Sequence, residues 1–154
     1  MTTTKTTKPS DRAFVLTRTL RAPAAKIFAA YADPKQLPQW WDPKGGLRVE
    51  RMDVRVGGGY RFIQRTPEGG TMAFVGSYLE VKPVTRLVYT FQMEGQPGAP
   101  VTTSVDLAEA AGTTTLTLTL EFVSKEALAV AVQYGAVGGA KSALEALAAF
   151  LGSA

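Results

Sequence analysis

Apolar and polar residues alternate along the middle of the chain, from about position 47 to position 122. A period of two is typical of strands that have one buried face and one solvent-exposed face. The clearest example is 113–122, where apolar residues at the even positions from 116 onward alternate with threonine or glutamate. The pattern predicts strands at 47–55, 59–66, 71–82, 85–94, 101–108 and 113–122, and the short turns between them predict an antiparallel meander.

Before this region, the pattern predicts a strand at 12–20 and then two short helices. Pro23 suits the first turn of a helix because its ring fixes φ, and Ile27 and Tyr31 continue the helical spacing to about position 32. Asp33 is expected to cap a second helix that ends at Trp40.

After position 124 the chain has no proline and is rich in alanine and leucine. This composition predicts one helix over 125–151, with Ser124 as its N-cap and an apolar side that packs on the sheet. Gly135, Gly138 and Gly139 lie in its middle, although each costs roughly 1 kcal/mol relative to alanine. They indicate either a kink or a close approach of another element.

These elements predict an α+β fold of the helix-grip type. In it, a curved antiparallel sheet of about seven strands wraps around one long C-terminal helix, and two short helices follow the first strand. A curved sheet and a straight helix cannot touch along their whole length, so we expect a cavity between them. The 154 residues suit one domain, assigned to 12–154, and residues 1–11 are expected to form a flexible arm.

The composition limits the chemistry because the chain contains no histidine and no cysteine. This excludes disulfides, thiol nucleophiles, histidine bases and nearly all zinc, copper, haem and iron–sulfur sites, so no cofactor and no metal are expected.

No apolar run approaches the ~18 residues that span a bilayer, and the N-terminus lacks the apolar segment of a secretory signal. We therefore expect a cytoplasmic protein without a membrane span.

The net charge of +4 is unevenly distributed, since residues 1–65 carry +8 and residues 66–154 carry −4. Five arginines between positions 48 and 65 are the nearest approach to a nucleic-acid-binding stripe. They stand among acidic and alternating apolar residues, which is typical of a salt-bridged sheet face. No nucleic-acid partner is therefore expected.

Several short motifs have the order and spacing of a known family. They are Arg21-Ala22-Pro23, Asp33-Pro34 with Leu37 and Trp40-Trp41, Arg55-Val56-Gly57-Gly58, Gly76 with Tyr78-Leu79-Glu80-Val81, Arg86-Leu87-Val88-Tyr89-Thr90, Gly112-Thr113-Thr114-Thr115-Leu116, and Gly135 to Gly139 followed by Leu144 and Leu147. The region 12–151 resembles the START-like (SRPBCC) domain of homologues of the activator of the 90-kDa heat-shock chaperone ATPase. The resemblance implies a helix-grip fold with a hydrophobic cavity, in a superfamily that includes lipid and sterol carriers, aromatic polyketide cyclases and co-chaperone domains.

Many members of this family carry bulky residues near the glycines of the last helix, where this chain has Ala136, Val137 and Ala140. These residues predict either a wider cavity or a lid elsewhere in the protein. The alternation along the strands places aromatic and methionine side chains opposite the small residues of the last helix. The two adjacent tryptophans are expected at the mouth of the cavity. The predicted ligand-binding residues are Trp40, Trp41, Tyr60, Phe62, Met72, Phe74, Tyr78, Tyr89, Phe91, Val132, Ala136, Gly139, Ala140 and Ala143. The alternative interpretation is that these residues are ordinary core.

The leading hypothesis is a protein that binds a small hydrophobic molecule, such as a lipid, an acyl chain or an aromatic compound, without catalysis of its own. The resemblance implies a second hypothesis, a partner-binding modulator of a chaperone ATPase, which the uneven charge supports. A third is an enzyme of the polyketide cyclase or dehydratase type that uses Tyr60, Tyr78, Tyr89 or Arg61. A monomer or a homodimer is expected.

Overall fold

The computed structural model describes residues 4–95 and 98–152 and confirms the α+β helix-grip fold. The strands form one antiparallel sheet in the order β1-β2-β8-β7-β6-β5-β4-β3. They are β1 (Lys5–Thr7), β2 (Ala13–Leu20), β3 (Leu47–Met52), β4 (Gly59–Arg65), β5 (Thr71–Lys82), β6 (Arg86–Met93), β7 (Val101–Ala110) and β8 (Thr113–Glu121). The helices are α1 (Ala24–Ala32), α2 (Leu37–Trp41), α3 (Lys125–Gln133) and α4 (Ala136–Phe150). Each strand predicted between positions 47 and 122 is present, with its ends within three residues.

The N-terminal arm contributes a strand, although residues 1–11 were expected to be flexible. β1 pairs with β2 in antiparallel register, with Thr6 opposite Leu16. Thr4 Oγ1 donates a hydrogen bond of 2.6 Å to Glu145 Oε2 on α4, and the buried Arg18 on β2 donates one of 3.0 Å to Glu145 Oε1. All three residues of β1 are exposed, so no apolar alternation revealed it. The described part of the chain therefore has eight strands instead of about seven.

Asp33 does not cap α2, and this prediction is wrong. Its N–H donates to Ala29 O at 2.8 Å and ends α1. Its carboxylate accepts the N–H of Lys35 at 2.9 Å and the side-chain amide of Gln36 at 3.0 Å. These hydrogen bonds lower the pKa of Asp33 and form a turn between the helices, so α2 begins only after this turn.

The prediction of one long C-terminal helix is also wrong, because α3 and α4 are separated at Tyr134 and Gly135. Gly135 has a φ of 89°, which glycine adopts readily and which interrupts the helix. A Cβ added at Gly138 or Gly139 would meet no atom within 4 Å, so no element approaches closely there. Of the two interpretations of these glycines, the kink is confirmed and the close approach is wrong.

The core lies between the inner face of the sheet and the C-terminal half of α4. Leu16 on β2, Leu116 on β8 and Leu144 on α4 are almost completely buried, and each such side chain contributes about 1.5–3 kcal/mol to folding. α1 and α2 cover one end of this core. The indole Nε1 of the buried Trp40 donates a hydrogen bond of 2.9 Å to Ala30 O, which ties α2 to α1.

Several charged side chains of the sheet form ion pairs. Arg61 on β4 contacts Glu50 at 2.5 Å and Glu94 at 2.7 Å, and Arg86 on β6 contacts Asp106 at 2.6 Å. The guanidinium of Arg61 lowers the pKa of Glu94. The arrangement is that of a salt-bridged sheet face.

The turn between β5 and β6 contains a strained valine, and its replacement by glycine is expected to stabilise the protein. Val84 has a φ of 75°, which costs a β-branched residue roughly 1–3 kcal/mol. Glycine relieves this strain but gives the unfolded chain more entropy, so Val84→Gly should raise the free energy of unfolding by about 1 kcal/mol. Urea denaturation followed by circular dichroism measures the change. The control is Val123→Gly, at an exposed valine without a positive φ, where a loss of stability is expected; equal effects would contradict the strain argument.

Candidate ligand-binding cavity

A cavity of about 420 Å³ lies between the sheet and the C-terminal helices. β6, β7 and β8 form its floor, α3 and α4 form its roof, and α1 and α2 close one end. It is nearly three times as large as an apolar cavity of about 150 Å³ that holds benzene in another protein, so a ligand larger than one ring fits. The described lining consists of Tyr31, Trp40, Trp41, Tyr89, Phe91, Val101, Thr103, Leu118, Leu120, Phe122, Ala131, Ala136, Gly139, Ala140, Ala143 and Leu144.

The space exists because the side chains at the start of α4 are small. Ala136, Gly139, Ala140 and Ala143 line the roof, whereas Leu144 begins the part of α4 that fills the core. A Cβ at Gly139 would meet nothing within 4 Å, so this part of the helix lies away from the sheet. Gly139 is exposed, and the cavity is partly open to solvent.

Aromatic rings form the end of the cavity next to α2. The Trp41 ring centroid lies 5.6 Å from that of Phe62, 6.1 Å from that of Phe74 and 5.9 Å from that of Phe91. Of the two adjacent tryptophans, Trp40 is buried and Trp41 is only half-buried. A ligand in the cavity would therefore lie against an indole ring, and tryptophan fluorescence would report its presence.

Three hydroxyl groups interrupt the apolar lining: those of Tyr31, Tyr89 and Thr103. Tyr31 is 4% exposed and Thr103 is 5% exposed, yet none of the three hydroxyls has a hydrogen-bond partner among the described residues. Burial raises the pKa of Tyr31 and Tyr89 well above the ordinary value. Both phenols therefore keep their protons and can donate hydrogen bonds.

Tyr60, Phe62 and Tyr78 pack against one another beside the cavity. The rings of Tyr60 and Phe62 stack at 4.5 Å, and those of Tyr60 and Tyr78 lie 5.7 Å apart. The void that they border measures only about 10 Å³, which is at most the space of one water molecule. Tyr60 Oη donates a hydrogen bond of 2.6 Å to Thr90 O. These three side chains support the cavity wall from behind.

The structure brings eight of the fourteen predicted residues into the cavity wall. They are Trp40, Trp41, Tyr89, Phe91, Ala136, Gly139, Ala140 and Ala143. Tyr60, Phe62 and Tyr78 lie beside the cavity, and Phe74 stacks on Phe91 at 5.1 Å.

Met72 and Val132 lie away from the cavity. Met72 lies near the start of β5, pairs with Gln64 and lines an open surface groove that also contains Asp42. Val132 is 47% exposed, because the helix breaks two residues later and a single helical wheel does not describe both segments. Ala131 takes its place in the roof.

Sequence reasoning missed the other half of the lining. The missed residues are Tyr31, Val101, Thr103, Leu118, Leu120, Phe122, Ala131 and Leu144. The alternation at 113–122 had already placed the leucines on the buried face, but it did not show which part of that face faces open space. Thr103 could have been identified from the sequence, because it is a polar residue on the strand face that carries Val101, Val105 and Leu107.

The cavity can hold an apolar body and donate hydrogen bonds to it. Its described lining contains no carboxylate, lysine or arginine, and Arg61 is bound to Glu50 and Glu94 instead. Within residues 4–95 and 98–152, no three acidic side chains cluster so that they could hold a metal ion. No described helix combines the length and apolar character needed to cross a membrane.

Solved bacterial proteins share this fold. Protein Ms6760 from Mycobacterium smegmatis is 24% identical, with coverage of 98% of this chain and 97% of that chain and a TM-score of 0.86. A protein from Arthrobacter aurescens is 22% identical, with coverage of 96% and 91% and a TM-score of 0.87. Protein CV1439 from Chromobacterium violaceum is 29% identical, with coverage of 92% and 98% and a TM-score of 0.73.

The curated proteins include no match to this chain. The sequence profile described as "Activator of Hsp90 ATPase homolog 1-like protein" matches residues 21–152, which is most of the chain. The match agrees with the helix-grip fold and with the order of the sequence motifs. This chain therefore belongs to the Activator of Hsp90 ATPase homolog 1-like family within the START-like helix-grip superfamily.

Proposed function

We propose that this protein binds a small hydrophobic ligand in the cavity between β6–β8 and α3–α4. The observation that carries this proposal is an apolar space of about 420 Å³ roofed by small side chains. Apolar groups that face empty space lack the dispersion contacts of a packed core, and a ligand would supply them. Ligand sites are commonly apolar cavities with a few polar groups, which is the composition of this lining.

Each part of the wall has a distinct role in this proposal. Trp41, Phe91 and the leucines of β8 contact the faces of the ligand, and the small residues of α4 leave room for it. The exposed Gly139 marks where the ligand passes between cavity and solvent. The ligand-binding residues proposed here are those of the cavity wall, and they include Ala131 in place of Val132.

Titration with one flat aromatic, one polyprenyl and one acyl probe tests the proposal. We expect at least one of naphthalene derivatives, farnesol and palmitate to bind at about 1:1 stoichiometry and to change tryptophan fluorescence. A free probe concentration of about 100 Kd should stabilise the fold by about 2.7 kcal/mol and raise the melting temperature by several degrees. If no probe class binds more tightly than about 1 mM, the proposal is wrong.

A second candidate function is contact with a chaperone ATPase. The name of the matched family suggests it, and the exposed side chains of Val130 and Tyr134, which lie one helical turn apart at the end of α3, favour it. Exposed apolar groups that lie together are common at protein contacts. A pull-down with the 90-kDa chaperone, together with its ATPase rate, tests this candidate. An unretained chaperone with an unchanged rate would eliminate it.

A further inference from the structure

We propose that the cavity selects an uncharged ligand with a hydrogen-bond-accepting oxygen, such as a ketone, quinone or ester, and holds that oxygen with the hydroxyls of Tyr31, Tyr89 and Thr103. This inference rests on the proposed function and adds the chemical class of the ligand. Three independent features of the cavity lead to it.

The first feature is the convergence of the three residues. Tyr89 on β6 and Thr103 on β7 are direct cross-strand partners, so their side chains leave the sheet on the same face with Cβ atoms about 5 Å apart. Tyr31 reaches the same cavity from α1. An electrostatic interaction between Tyr31 and Tyr89 contributes to the raised pKa of Tyr31, which indicates that the two phenols are close.

The second feature is the contrast with neighbouring polar groups. Trp40 Nε1 and Tyr60 Oη, which are also in this region, both donate to backbone carbonyls, at 2.9 Å and 2.6 Å. The hydroxyls of Tyr31, Tyr89 and Thr103 have no such partner among the described residues, so they are available to a ligand oxygen.

The third feature is the absence of positive charge from the described lining. A carboxylate in this cavity would lose its hydration without gaining a cationic partner, which is strongly unfavourable. A carbonyl oxygen carries no net charge and needs only hydrogen-bond donors. Because the phenols of Tyr31 and Tyr89 remain protonated, they supply these donors at neutral pH.

Three naphthalene probes of similar size separate the contribution of hydrogen bonds to affinity from the contribution of apolar contacts. They are 2-acetylnaphthalene, a ketone; 2-isopropenylnaphthalene, its hydrocarbon counterpart; and 2-naphthoate, a carboxylate. Tyr31→Phe, Tyr89→Phe and Thr103→Val should each weaken binding of the ketone about 5- to 20-fold and change binding of the hydrocarbon less than about twofold. At pH ~7 the carboxylate should bind at least about 100-fold more weakly than the ketone.

Thr102→Val, on the opposite face of β7, and Tyr134→Phe, at an exposed tyrosine, are the matched controls and should leave all affinities unchanged. Thermal melts establish that each variant is folded. Equal losses of ketone and hydrocarbon binding in the cavity variants would overturn this inference and leave the proposed function intact. Tight binding of 2-naphthoate at pH ~7 would also overturn it. If none of the three naphthalene probes binds, this inference fails. The proposed function fails with it only if farnesol and palmitate do not bind either.

Discussion

Replacing Ala140 by phenylalanine is expected to abolish ligand binding and to make the protein more stable. Ala140 is half-buried in the cavity roof. A phenyl ring there would enter the cavity, and its burial contributes about 1.5–3 kcal/mol, of which the lower helix propensity of phenylalanine removes roughly 0.5 kcal/mol. We therefore expect the free energy of unfolding to rise by about 1–2 kcal/mol, the melting temperature to rise by several degrees, and the Kd of a bound probe to rise at least about 30-fold.

Ala149→Phe is the matched control, since Ala149 is exposed on the same helix and outside the described cavity lining. It makes the same change without burial, so probe affinity should be unchanged and stability slightly lower. Fluorescence titrations and thermal melts measure both quantities. Unaltered probe binding in Ala140→Phe would show that the ligand lies elsewhere. A destabilised Ala140→Phe would show that the ring finds no open space.

The sheet could be predicted because strand alternation is a local property of the sequence. The pattern at 113–122 shows directly which side chains of β8 are buried, and the short turns determine that its neighbours are antiparallel. The same patterns placed Tyr89 and Phe91 on the inner face, and Trp40 and Trp41 were expected at the mouth of the cavity. About half of the cavity wall could therefore be identified from the sequence.

The rest depends on conformation and register, which the sequence pattern does not encode. Gly135 fits a helix with a kink or a helix with a close neighbour, and only its backbone angle distinguishes the two. That break moves Val132 outward and brings Ala131 into the roof. Tyr89 and Thr103 are cross-strand neighbours only because of the register in which β6 and β7 pair. The register therefore determines which hydroxyl groups lie side by side.

Alkaline pH is expected to unfold the protein cooperatively, between about pH 11 and pH 13. Burial raises the pKa of four of the five tyrosines, Tyr31, Tyr60, Tyr78 and Tyr89, above the ordinary value. The unfolded chain loses these protons near pH ~10, whereas the folded state keeps them, so rising pH favours the unfolded state. The stability from these groups is fully present below about pH 10 and is lost above it, by about 5 kcal/mol per pH unit for four tyrosines.

A typical domain is stable by about 5–15 kcal/mol, so a loss of this size unfolds it within roughly one to three pH units. The titration is followed by far-ultraviolet circular dichroism and by tyrosinate absorbance in the Tyr134→Phe background, in which the four buried tyrosines give the whole tyrosinate signal. We expect the two signals to change together in one transition. Adding Tyr89→Phe removes one of the four tyrosines. It should therefore reduce the pH dependence of the free energy of unfolding by about a quarter. Gradual ionisation with unchanged circular dichroism would contradict the argument, because it would mean that the phenols ionise in the folded protein.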